Sequence, residues 1–223
     1  PPTALRMMRA VSRPQERFKL SLRSIASAGE ALGAEVFEWA GRELGLTVNE
    51  FYGQTECNQV LGSCGAIGLN RAGSMGRPVP GHDVAIIRAD GSRCDIGETG
   101  QIVMKRPDPI MFLGYWNRAE ATRDKFIGDW MTTGDQGYVD QDGFFFFVGR
   151  DDDVITSSGY RIGPGEIEDC LISHPAVTIA AAVGKPDELR TEIVKAFIVL
   201  REGFAPGDAL AREIQTYVRE RLS

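Results

Sequence analysis

The feature that most constrains this chain is a strand–helix–strand succession near its start. The alternation in "FKLSLRSI" predicts a short strand after a loop. "SAGEALGAEVFEWAGREL" then places Leu32, Val36, Trp39, Ala40 and Leu44 near helical spacing, with Gly45 as the stop. "LTVNEFYGQTE" predicts a second strand running into a loop. Strand, helix and strand within about forty residues form a βαβ signature, which predicts a parallel sheet here.

Beyond residue 75 the texture changes. Asp90-Gly91 and Asp142-Gly143 each stand between short apolar runs and predict hairpins. "GETGQIVMKRP" adds a further strand, so an antiparallel sheet or small barrel is expected. From Asp151 a third texture begins. Pro164 opens a short helix that His174-Pro175 stops, "VTIAAAVG" and "EIVKAFIVL" read as strands, and Asp208 is the expected N-cap of a last helix. That helix carries Leu210, Ile214, Tyr217, Val218 and Leu222 on one face. The expected fold class is therefore mixed α/β and α+β. Residues 1–75 form the end of a parallel α/β subdomain, 76–150 a small antiparallel barrel-like subdomain, and 151–223 most of a small α+β domain.

Composition excludes several functions. The 25 basic and 31 acidic residues give a net charge of −6, which argues against general binding to nucleic acid or anionic lipid. No apolar run is long enough for a membrane span. The cysteines Cys57, Cys64, Cys94 and Cys170 have no C-x-x-C spacing and read as free thiols of a reducing cytosol. The opening "PPTALRMM" and the closing "YVRERLS" lead us to expect a fragment of something longer.

Three stretches carry possible chemistry. "EFYGQTE" lies at a strand-to-loop junction, where α/β proteins bind ligands. Gly53 would let the backbone approach a ligand, Thr55 offers a hydroxyl to phosphate, and Glu56 offers a hard oxygen to magnesium. From composition alone, a polar turn closing the strand with Glu56 solvated is the favoured reading of the same residues. Asp135, in "TTGDQGYVD", has the carboxylate that accepts both hydroxyls of a ribose, although in isolation a turn aspartate is the commoner case. "GRDDDVITSSGYRIGPGEIE" combines Arg150 and Arg161, able to neutralise phosphate, with Gly159, where a narrow group could pass. A linker running into a helix start would also account for it.

Together with "SAGEAL", "GSMGRPVPG" and "HPAV…AAVGKPDELRTEIVKAFIVL", these stretches resemble the AMP-forming acyl-CoA synthetases of the adenylate-forming superfamily, most closely the medium-chain group. The match follows the family's order across nearly the whole chain. The resemblance implies an ATP-dependent acid–thiol ligase that turns a fatty or aromatic carboxylic acid into an acyl-AMP, then transfers it to coenzyme A. It implies that Gly29, Glu30 and Ala31 flank the adenine and that Glu50, Phe51, Tyr52, Gly53 and Gln54 form the strand end packed against it. Thr55 would meet the α-phosphate, Glu56 would hold magnesium, Asp135 with Arg150 would clamp the ribose, and Arg161 would meet phosphates. Ser158, Gly159 and Tyr160 would line the coenzyme A passage, Arg190 would touch its nucleotide part, and Asp152 would be the hinge of a rotating small domain. The family's phosphate loop and catalytic lysine are absent from this sequence, so the chain alone is expected to be inactive. Two rivals are a peptide-synthetase adenylation domain that loads a carrier protein and a non-catalytic nucleotide-binding module.

Overall fold

The computed structural model describes residues 1–222. Contacts divide the chain into two units, Pro1–Phe147 and Val148 onward.

The first unit begins with α1 (Pro2–Met8) and α2 (Pro14–Arg17), followed by β1 (Ile25–Ser27), α3 (Ala34–Leu44) and β2 (Val48–Gln54). β1 and β2 are parallel, with Ile25 opposite Val48, and α3 is the crossover. Helical spacing puts Val36, Trp39, Ala40 and Leu44 on one buried face, packed with Leu5, Leu32 and Val48. Gly45 ends the helix in the left-handed conformation, φ 65°. Two expectations shift here. Phe18, Leu20 and Leu22 alternate but are exposed, and the strand begins only at Ile25; period-two patterning makes a strand only where a neighbour pairs with it. The helix begins at Ala34, so the "SAGEALG" that opens the helical run stays outside it, because Gly29 and Gly33 have φ of 96° and 81°, beyond helical space.

The same sheet then turns antiparallel. β3 (Asn58–Gly62) folds back on β2, and β4 (Arg77–Pro78) pairs with β3, giving the order β1-β2-β3-β4. Sequence patterning did not show β3 or β4. A five-stranded sheet follows: β5 (Val84–Ile87), β6 (Gly100–Lys105), β7 (Phe126–Ile127) after the short α4 (Ala119–Asp124), β8 (Trp130–Val139) and β9 (Phe145–Arg150). Both predicted turns form. Arg88 N donates to Ser92 O across Asp90-Gly91, and Asp140 N donates to Phe144 O across Asp142-Gly143. Val60, Leu61, Met75, Ile86, Ile102, Met104, Met131 and Phe145 share one core, so the two sheets of this unit are packed together.

The second unit contains β10 (Ile155–Ser157), β11 (Tyr160–Ile162), α5 (Pro164–Ser173), β12 (Val177–Asp187), β13 (Thr191–Leu200) and α6 (Asp208–Leu222). Its antiparallel sheet has the order β11-β10-β13-β12. Leu171 of α5, Val177 and Ala180 of β12 and Ile214 of α6 make the core, with Leu210 and Val218 against it. Asp208 is the first helical residue rather than the cap; the preceding Gly207 carbonyl accepts the Ala211 N–H. Among the described residues no helix is long and apolar enough to cross a membrane.

Candidate functional site

β2 supplies the backbone of the site. Its Glu50 is buried, and a buried carboxylate requires partners. Glu50 Oε2 accepts the Leu32 N–H at 3.0 Å, which ties the 28–33 loop to the strand. From the other side, Arg6 of α1 pairs with Glu30 at 3.1 Å and donates to Ala31 O at 2.8 Å. Gly29, Glu30 and Ala31 are therefore exposed on a loop whose path is fixed twice. Phe51 is half-buried opposite Gly62 of β3.

Further along β2, Tyr52 Oη donates to Asp135 Oδ2 at 2.6 Å. Gln54 Nε2 donates to Thr133 O at 3.1 Å and lies 3.5 Å from the same Asp135 oxygen. Burial first, then the Asp135 charge, holds the Tyr52 phenol far above its usual range. Tyr52 is thus a neutral donor at any ordinary pH.

Asp135 is not in a turn. It lies within β8 and is 9% exposed. The pairing register of β8 with β6 shifts between Gln101 and Val103, Gly134 has φ 80°, and Thr133 Oγ1 donates to Ile102 O while accepting the Asp135 N–H. A bulge of this kind re-aims one side chain out of a regular strand, and here it brings Asp135 to Tyr52.

Thr55 and Glu56 form the tip between β2 and β3; Thr55 is exposed and Glu56 half-buried. The Glu56 carboxylate accepts the Tyr115 hydroxyl, and its backbone carbonyl accepts the Phe112 N–H at 2.7 Å. Burial, then the bond to Glu56, pushes the Tyr115 phenol up to about 12.

Gly53 has a structural reason of its own to be glycine. A Cβ there would stand 1.6 Å from the Asn58 carbonyl oxygen. The space beside Gly53 is filled by the return strand, so the hairpin itself requires glycine here.

The second unit gathers the other predicted residues into two groups. Ser158 and Gly159, φ 51° and 86°, make the two-residue turn between β10 and β11, and Tyr160 follows it, exposed. Ser158 N donates to Arg190 O at 2.9 Å, so this turn and Arg190 are neighbours. The Arg190 loop is itself held by Asp187 Oδ1, which accepts the Leu189 and Arg190 N–H groups. In the second group Arg150 pairs with Asp152 at 3.1 Å, and Arg161 stands 3.9 Å from Asp151. These are exposed pairs of the kind that contribute little to stability.

Sequence reasoning missed Tyr115, Thr133 and the Tyr52–Asp135 bond. The only local sign of Tyr115 was an aromatic cluster, "FLGYW", in a polar segment. Cys57, next to Glu56, gives a direct check on this packing. It is fully buried, and burial pushes its thiol up to about 11, whereas Cys64 is exposed. Iodoacetamide should modify Cys64 at least ~10-fold faster than Cys57 by peptide mass spectrometry; equal rates would mean the β2–β3 tip is not packed as described.

Superposition defines the class of fold. The solved anthranilate CoA ligase AuaEII, in complex with anthranoyl-AMP, aligns over 100% of this chain and 42% of its own length, with a TM-score of 0.89 and 33% identity. Among curated proteins, 4-hydroxybutyrate–CoA ligase 1 of Metallosphaera sedula is 42% identical over 100% of this chain and 40% of its own length. Acyl-coenzyme A synthetase ACSM3, mitochondrial, of Mus musculus is 41% identical over 98% of this chain and 38% of its own length. The chain belongs to the AMP-binding enzyme family: that family's model matches residues 1–116, and the model of the AMP-binding enzyme C-terminal domain matches residues 166–223. It spans about two fifths of the length of the curated relatives it matches.

Proposed function

We propose that this chain works within a longer ATP-dependent acid–CoA ligase acting on a small carboxylic acid, fatty or aromatic. The observation that carries the reading is the Tyr52–Asp135–Gln54 cluster one residue from the Thr55-Glu56 tip. It sets a buried carboxylate suited to ribose hydroxyls beside a hydroxyl and an acidic group suited to phosphate and its cation. The names of the relatives support the acid–CoA class over a carrier-loading domain.

In the proposed first step the acid's carboxylate oxygen attacks the α-phosphorus of ATP, and pyrophosphate leaves with the bonding electron pair. Asp135 accepts both ribose hydroxyls, assisted by Arg150. The 28–33 loop and the end of β2 flank the adenine, Thr55 donates to the α-phosphate, and Arg161 meets phosphate charge. Such catalysis is mostly positioning and charge stabilisation. In the second step the coenzyme A thiolate attacks the acyl carbonyl, and AMP leaves. Ser158, Gly159 and Tyr160 line its passage and Arg190 meets its nucleotide part; their adjacency in the second unit supports this grouping. Asp152 is the proposed hinge. Its exposed pair with Arg150 is too weak to lock a joint.

Magnesium fits the same tip. Among the described residues no three or more His, Cys, Asp or Glu converge to cage a metal. Mg²⁺ takes one or two carboxylates and completes its shell with water and phosphate, so Glu56 is a sufficient protein ligand. When bound, the cation would neutralise phosphate charge. We also assign the protein to a reducing compartment, the cytosol, in keeping with four unpaired cysteines.

Acid-dependent ATP–pyrophosphate exchange tests the reading. The longer reading frame should exchange with at least one fatty or aromatic acid, and the 223-residue chain alone should show none. Brisk exchange by the isolated chain, or none by the longer protein across a broad panel of acids, would overturn it.

A further inference from the structure

Glu56 is held from two directions by one loop. Phe112 N–H donates to its backbone carbonyl at 2.7 Å, and Tyr115 Oη donates to its side-chain Oε1. The loop is braced in turn. Tyr115 N–H donates to Thr122 Oγ1 at 2.9 Å, and that hydroxyl donates to Arg118 O at 3.0 Å. The Phe112 ring lies 5.0 Å from the Tyr115 ring and stacks on Phe126 at 6.4 Å.

A glutamate at the tip of a hairpin would ordinarily sample many rotamers, and ordering it costs side-chain entropy. Here that ordering is already in place. A donor on Oε1 restrains rotation of the carboxylate, and Oε2 lies outside that bond. We propose that Tyr115 is a positioning residue that presents the Glu56 carboxylate to a divalent cation, an inference that rests on the reading of Glu56 as the metal ligand. A carboxylate that binds metal is commonly held by an outer hydrogen bond, and loss of that bond weakens metal affinity by about 10–100-fold.

The test uses the longer protein with AMP bound and Mn²⁺ as the probe, its free fraction read by electron paramagnetic resonance. Tyr115→Phe keeps the ring contact with Phe112 and removes only the hydroxyl. It should weaken Mn²⁺ binding about 10-fold and raise the Mg²⁺ needed for half-maximal rate, with kcat at saturating Mg²⁺ unchanged. Glu56→Ala should weaken Mn²⁺ binding at least as much. If Glu56→Ala weakens binding and Tyr115→Phe does not, the positioning role fails and the Glu56 reading survives. If Glu56→Ala has no effect, the Glu56 reading itself fails. A Tyr115→Phe protein whose kcat falls at saturating Mg²⁺ with unchanged Mn²⁺ affinity shows a merely structural role and overturns the inference. Should Tyr115→Phe fail to fold, Thr122→Ala, which removes the acceptor of the Tyr115 N–H, is judged by the same criteria.

Discussion

Replacing Asp135 with alanine in the longer ligase should weaken AMP binding ~100-fold or more, measured by titration calorimetry. Under the proposed function the carboxylate accepts two ribose hydroxyls. Hydrogen bonds to a charged group contribute about 1.5–3 kcal/mol each, so losing two costs at least about 3 kcal/mol, and about 1.4 kcal/mol is tenfold in affinity. The same substitution strands the Tyr52 hydroxyl, which donates to Asp135 at 2.6 Å inside the unit. Part of any loss could therefore be a folding defect, and two companion variants separate the terms. Tyr52→Phe removes the donor and keeps the carboxylate; it should cost AMP affinity only ~10-fold or less, through a less well-fixed Asp135. Asp135→Asn keeps an acceptor oxygen but no charge, and should fall between the two. If Asp135→Ala unfolds at the parent's temperature and still binds AMP as tightly as the parent, Asp135 does not meet the ribose and the reading of the site is lost.

The elements that local patterning could encode were legible. Spacing of three and four located α3, Gly45 marked its end, and two Asp-Gly pairs marked turns. Pro164 opens α5 as expected from its missing N–H. What failed depended on partners elsewhere in the chain. Phe18, Leu20 and Leu22 alternate as a strand does, but alternation does not supply a neighbour. β3 was hidden because "NQVLG" buries only Val60 and Leu61 between exposed and half-buried residues.

The site divides in the same way. Residue chemistry raised Thr55, Glu56 and Asp135 as candidates, but each alone suits an ordinary polar turn, and only the resemblance favoured their site roles. Bottom-up reading placed Asp135 in such a turn, whereas the bulge at Gly134 puts it inside a strand. No local rule links Tyr52 to a residue 83 positions away; that contact follows from the register of two sheets sharing one core. Tyr115 reaches Glu56 across 59 positions from the loop between β6 and α4, a contact that no local pattern announces.

The second large effect is expected from the smallest change. Gly53→Ala should destabilise the first unit by about 3 kcal/mol or more, beyond ordinary overpacking. The added Cβ would lie 1.6 Å from Asn58 O, 2.6 Å from Asn58 C and 3.0 Å from Gln59 Cα. All three are backbone atoms, so no rotamer change relieves the clash. Relief requires opening the β2–β3 pairing where its register already shifts, between Tyr52 and Gly53, and where Asn58 holds a left-handed φ of 53°. That opening would also carry Thr55 and Glu56 away from Tyr115, so the clash should act on stability and on the site together. Gly41→Ala is the matched control: it lies in α3 with nothing within 4 Å of the added carbon, and should stabilise by roughly 0.5–1 kcal/mol. Urea unfolding midpoints of the two variants should move in opposite directions. If Gly53→Ala unfolds at the parent's midpoint, β3 does not pass this close to β2, and the geometry assigned to the Thr55-Glu56 tip goes with it.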